Sequence, residues 1–149
     1  MNVPGSFRAA VESKDLDAIT ATLAPDITFH SPVMVKPYQG RDAVAALLSV
    51  LLEVFEDFHY THELAGRGPQ GNGGSPPAQA LVFAARVMGK PVQGLDLITF
   101  DGAGLVGDLT VMVRPLPAAM TLARAVGRRV EELGGPQADP TGDGRKPAA

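Results

Sequence analysis

Between Arg41 and Glu56 the apolar residues Val44, Leu47, Leu48, Leu51, Leu52 and Phe55 recur at intervals of three and four, while Arg41, Asp42, Ser49, Glu53 and Glu56 fall mostly elsewhere. That spacing gathers one apolar stripe and predicts a helix over the stretch. From Phe58 the period drops to two. Phe58, Tyr60, His62 and Leu64 alternate with His59, Thr61 and Glu63, which predicts a strand with two unlike faces. Ala80 to Met88, Pro91 to Asp101 and Leu105 to Arg114 read as further strands, the last two joined by the turn Asp101-Gly102-Ala103-Gly104. Gly66 to Pro77 has the Gly and Pro content of a hairpin tip, and Gly89-Lys90 reads as a second turn.

Ahead of the long helix, Ser6 to Ala24 predicts two short helices, one capped by Ser6 and one by Asp15, with Leu16, Ile19 and Leu23 on one face and Pro25 as the stop. Asp26 to Val35 reads as a strand broken by Pro32, and Lys36 to Gly40 as a turn. After Arg114, Pro115 and Pro117 end the last strand, and Ala118 to Leu133 predicts a helix with Met120, Ala123, Val126, Val130 and Leu133 inward. Gly134 to Ala149, rich in Gly, Pro, Asp and Lys, is expected to be a disordered tail, leaving residues 1–133 as one domain. Helices followed by hairpin-joined strands imply an α+β fold, in which a curved antiparallel sheet wraps around helices and encloses a cone-shaped pocket.

Composition narrows the function. With 45% hydrophobic and 19% charged residues the 149-residue chain belongs with globular proteins. A net charge of -3 argues against a nucleic-acid partner, which would need a basic face. Without Cys there is no disulfide frame or thiolate nucleophile. No stretch is long and apolar enough to span a bilayer, and the start lacks the pattern of a secretory leader, so a cytoplasmic protein is expected. His59 and His62 lie three apart on a strand and point to opposite faces, so no metal is expected, and no cofactor motif is present.

The candidate chemistry centres on Asp96, an acid among the strand residues Leu95, Leu97 and Ile98. A carboxylate taken out of water is costly unless it is bonded, paired or protonated. Asp96 is therefore expected to be a pocket carboxyl with a raised pKa, acting as general acid or base or as a hydrogen-bond donor to a bound carbonyl; a structural Asp bonding a neighbouring loop or backbone is the alternative. His62 and His30 are the candidate catalytic partners, and Tyr60 can assist proton transfer. Phe58, Tyr60, Phe83, Ile98, Val111 and Val113 are expected to line the hollow, with Ser31 and Tyr38 as further ligand contacts. Tyr60 and His62 can equally belong to an ordinary two-faced strand, and His30 and Ser31 to a bonded strand break. Asp108, Thr110, Met112 and Arg114 fall on the opposite face, the one expected to carry a homodimer contact.

Asp15-Leu16-Asp17-Ala18-Ile19, Phe29-His30-Ser31-Pro32, Gly40-Arg41-Asp42-Ala43-Val44, Gly94-Leu95-Asp96 and Val111-Met112-Val113-Arg114-Pro115-Leu116, in that order, resemble the nuclear transport factor 2-like superfamily and within it the SnoaL-like group. The resemblance runs from Phe7 to Leu116 and implies the cone-shaped fold, though fold alone does not settle function. Set beside ketosteroid isomerase, it places the oxyanion-hole acid at Asp96, but Phe7 at the Tyr position and Ser31 at the Asp base. A Phe has no proton to donate and a neutral Ser is a poor base, so the resemblance does not carry that mechanism over. Beside limonene epoxide hydrolase it places Val111 where an Asp is needed, and Arg86 has no acid two residues on. Beside SnoaL, a polyketide cyclase, Asp96 is the counterpart of a late-strand acid–base residue. The expected function is binding of a small hydrophobic molecule, with cofactor-independent isomerase, cyclase or hydrolase chemistry or, alternatively, a non-catalytic binding or dimerisation module.

Overall fold

The computed structural model describes residues 6–134. Along the chain run α1 (Phe7–Ser13), α2 (Leu16–Ala21), β1 (Leu23–His30), β2 (Tyr38–Gln39), α3 (Arg41–Val54), β3 (Glu56–Arg67), β4 (Pro77–Val87), β5 (Lys90–Phe100), β6 (Val106–Arg114) and α4 (Leu116–Glu132). The strands form one curved, unclosed sheet in the order β2-β1-β6-β5-β4-β3, with the helices against it. This is the α+β architecture expected from the sequence. One junction differs from the antiparallel expectation: β1 lies parallel to β6, because the chain returns to the side of β1 only after α3 and the whole hairpin run.

The helix starts follow from local bonding. The Ser6 side chain accepts from the Ala9 N–H at 3.1 Å, and the Asp15 carboxylate accepts from the N–H groups of Asp17 and Ala18. Pro25 does not stop α2. The helix ends at Ala21, and Pro25 lies within β1, in the irregular stretch of the β1–β6 ladder between Leu23 and Thr28, where a missing N–H costs no ladder bond. β1 ends at His30, ahead of Pro32, rather than at Val35. The Arg41 guanidinium at the start of α3 donates twice to the Leu23 carbonyl, at 3.0 and 2.7 Å, tying α3 to the start of β1.

α4 begins at Leu116, earlier than Pro117 suggested, since a proline is tolerated in a first helical turn where its absent N–H would have no partner. Its inward face is Ala118, Thr121 and Leu122, backed by Ala125 and Val126. Met120 and Leu133, expected inward, are exposed, because the helix docks on the stripe of Ala118, Thr121 and Leu122 and those two positions fall off it. Gly134 is described; the rest of the expected tail lies outside the described residues. Among the described residues no helix is long and apolar enough to cross a membrane.

On the concave side, buried Phe29, Leu81, Phe83, Ile98 and Leu109 form the floor on which α3 rests. That floor carries the site.

Candidate functional site

Alternation along β5 turns Val92, Gly94, Asp96 and Ile98 toward the concave side, all buried. Gly94 stands opposite Phe83 of β4, and a side chain at 94 would collide with the Phe83 ring, whose Cζ lies 2.0 Å from where a Cβ would stand. The glycine thus lets the ring lie flat on the β5 backbone. Phe83 stacks on Phe58 at 4.7 Å between centroids, and Phe58 meets Tyr60 edge-on at 5.1 Å. These contacts aim the Tyr60 phenol across β4 at Asp96, where its O–H donates to Oδ2 at 3.2 Å.

Asp96 is 7% exposed. Burial pushes its carboxyl up from 3.8 to about 7, and the hydrogen bond from Tyr60 opposes that rise. Burial, followed by the neighbouring Asp96 charge and their hydrogen bond, holds the Tyr60 phenol well above its ordinary value, while Arg8 acts in the opposite direction. The pair borders a chamber of about 80 Å³ walled by Phe7, Leu48, Leu52, Phe58, Phe83 and Val111, with Glu12 and Lys14 at its edge. A dry apolar cavity of ~150 Å³ accepts benzene, so this chamber as it stands takes a molecule's end rather than a whole ring system.

Other expected site residues lie elsewhere. His62 is exposed on the convex face, so it cannot serve Asp96. The cause is a bulge: Tyr60 pairs with Phe83 but His62 pairs with Val82, so two steps along β3 match one along β4. The extra residue inverts the alternation beyond Tyr60, turning His62 and Leu64 outward and Glu63 inward. His30 also leaves the pocket; it follows the inward Phe29 on β1 and bonds Asp108 Oδ2 at 3.1 Å. Ile98 is sealed in the core and borders no open space, and Val113 packs against the core at the end of β6.

Ser31 and Tyr38 line a different space, a cleft of about 980 Å³ on the other flank of α3, bounded by the loop after β1 and by α4. Tyr38 meets Phe29 edge-on at 6.1 Å, and burial raises its phenol pKa. Leu51 borders both spaces.

Arg8 and Glu63 were not singled out from the sequence. The Arg8 guanidinium donates to Glu63 Oε1 at 3.0 Å, approaches Glu12 at 3.4 Å, and lies 5.5 Å from the centroid of the Tyr60 ring. The Arg8–Glu12 spacing was visible as a helical i,i+4 pair; the inward turn of Glu63 was not, because it depends on the bulge.

Comparison with known proteins agrees with this architecture. Residues 5–72 match the SnoaL-like domain. A steroid delta-isomerase from Pseudomonas aeruginosa is 35% identical, with 85% of this chain and 88% of that one aligned at a TM-score of 0.76. A bacterial protein with a cystatin-like fold from Silicibacter pomeroyi is 34% identical over 84% of this chain and 82% of its own, at a TM-score of 0.74. A SnoaL-like protein from Burkholderia thailandensis, 20% identical over 73% of this chain and 89% of its own at a TM-score of 0.55, shares the fold alone. No curated protein matches the sequence. On the identity and coverage of the first two structures together with the matched domain, the chain belongs to the SnoaL-like family, with the ketosteroid isomerase-like fold of the nuclear transport factor 2-like proteins.

Proposed function

We propose that this protein binds a small apolar molecule by a polar end placed against Asp96 and moves a proton on it, without a cofactor, in the manner of an isomerase. The observation that carries this reading is the buried Asp96 carboxyl, raised to about 7 and bonded by Tyr60 in an apolar chamber. Near neutrality such a group is divided between a form that donates a proton and a form that accepts one, the condition under which one carboxyl can take a proton from one carbon and return it to another. Phe7 walls the chamber without a proton to give, and Ser31 lies across α3, so Tyr60 and Asp96 are the bonded proton-carrying pair in the chamber wall, with Glu12 and Lys14 at its edge. The similarity to a protein described as a steroid delta-isomerase supports the reaction class. The Asp96 chamber takes the reacting end, and the roomier cleft with Ser31 and Tyr38 in its wall lies on the other side of Leu51.

Asp96→Asn keeps the shape and removes the titrating proton. With a small β,γ-unsaturated cyclic ketone as probe, conversion to the conjugated isomer should fall at least about 100-fold in the variant while the fold is retained. Equal conversion by both proteins would remove Asp96 from the chemistry.

A second reading, a non-catalytic carrier, is favoured by one observation: neither Phe7 nor Ser31 can donate or accept a proton as the isomerase positions require. A carrier would bind the ketone equally well in both proteins and convert it in neither. In either reading the protein pairs as a homodimer through its convex sheet face, where Val82, Leu95 and Met112 form one cross-strand row and Leu64, Ala80 and Leu97 the next.

A further inference from the structure

Asp96 does not sit alone on its row of the sheet. Glu63, turned inward by the β3 bulge, pairs with Leu81, and Leu81 pairs with Asp96. The two acids therefore occupy one cross-strand row two strand spacings apart, about 10 Å. Arg8 lies between this row and the phenol: it donates to Glu63 at 3.0 Å while its guanidinium lies 5.5 Å from the Tyr60 ring centroid. Its Nε is buried and makes no well-aligned hydrogen bond, with Glu12 at 3.4 Å. A cation held this way keeps a position useful to its neighbours at some cost to its own bonding.

We propose that Arg8 is a positioning residue for the Tyr60–Asp96 pair, clamping the phenol by its ring face and screening the Glu63 carboxylate on the Asp96 row, so that α1 sets how tightly the pair holds its proton. This rests on the reading of Asp96 as the proton carrier. The charged groups facing the pair are Arg8 and Glu12 from α1, Lys14 just after it, and Glu63 from β3; α2, α3, β4 and β6 present apolar side chains such as Ile19, Leu48, Phe83 and Val111. With Arg8 in place the phenol is a better donor to the Asp96 carboxylate, and the negative charge of Glu63 is offset. Removing the cation weakens the first effect and uncovers the second, and both make Asp96 hold its proton to higher pH. Neutralising Glu63 leaves the cation uncompensated and acts the other way.

The experiment is a carbon-13 carboxyl NMR titration of Asp96 in the full chain, its signal identified by loss in Asp96→Asn. Arg8→Met should raise the Asp96 midpoint and Glu63→Gln should lower it, each by about half a pH unit or more, while Arg8→Lys stays near the parent. Opposite signs are the signature of charge; loosened packing alone would move both variants together. Shifts of one sign, or none in either variant, overturn the proposal. Should Arg8→Met fail to fold, Glu63→Gln and Arg8→Lys decide it: a lowered midpoint in the first with a parental one in the second supports it, and any other pair of results overturns it. An Asp96 signal in the parent that does not titrate between about pH 6 and 8 overturns the underlying reading as well, an outcome distinct from a normal parent with unresponsive variants.

Discussion

A carboxyl raised from 3.8 in the open chain to about 7 in the folded one binds its proton more tightly when folded. The stability it contributes is fully present below about pH 4, declines as the pH climbs through 7 and is level beyond, a difference on the order of 4 kcal/mol. Asp96→Asn abolishes that decline. Urea unfolding should show the variant more stable than its parent at pH 8 by a few kcal/mol, order of magnitude, with the advantage shrinking toward pH 4; a deficit of equal size at both pH values would contradict the raised pKa. Two residues earlier, Gly94 carries a steric demand of its own. Gly94→Ala forces a methyl into the Phe83 ring and should destabilise by about 1–3 kcal/mol, read as a lowered midpoint of thermal unfolding. A smaller side chain at 83 should recover part of the loss when the two changes are combined, and strict additivity would show that the sites do not touch. Asp96 was legible in the sequence because an acid among strand-forming apolar residues demands an explanation. Arg8 was not, because its placement rests on contacts with β3, which is distant in the chain.

At the level of elements, periodicity located α3 and all four long strands, and side-chain chemistry located the caps of α1 and α2. What it could not deliver was orientation wherever one residue breaks a pattern. Strict alternation from Phe58 puts His62 beside Tyr60, and without the bulge His62 would pair with Leu81 on the Asp96 row. The single extra residue on β3 exchanges an imidazole for a carboxylate there, and nothing in Tyr60-Thr61-His62-Glu63 marks it, since no glycine is needed for it. The loss of a straightforward histidine base and the gain of the Glu63–Arg8 pair share this one cause. α4 shows the same limit more mildly. Its helical character was clear, but which stripe faces inward was settled by docking through Ala118 and Thr121.

The whole molecule presents two unlike surfaces of one sheet, the concave one covered by helices and the convex one open. On the open face Leu64, Leu97 and Met112 are 57%, 39% and 48% exposed, with Leu64 and Leu97 on one cross-strand row and Met112 on the neighbouring one. If two copies pair there, Leu97→Asp buries a charge at the contact, and sedimentation velocity should report a dimer for the parent and a monomer for the variant. A monomeric parent would rule out the pairing. Strand alternation was enough to foresee Met112 on this outer face, whereas Leu64 reaches it only through the β3 bulge. The interior division was beyond it, because where a helix leaves room against a sheet depends on how side chains from several elements mesh.

Leu51, placed on the seam of α3, is the side chain shared by the two hollows. Shortening it would thin the wall between the small hollow beside Asp96 and the larger cleft without altering Tyr60 or Asp96. On the proposed reading, the length of the guest and the acid–base character of the site would then answer to separate positions on the scaffold.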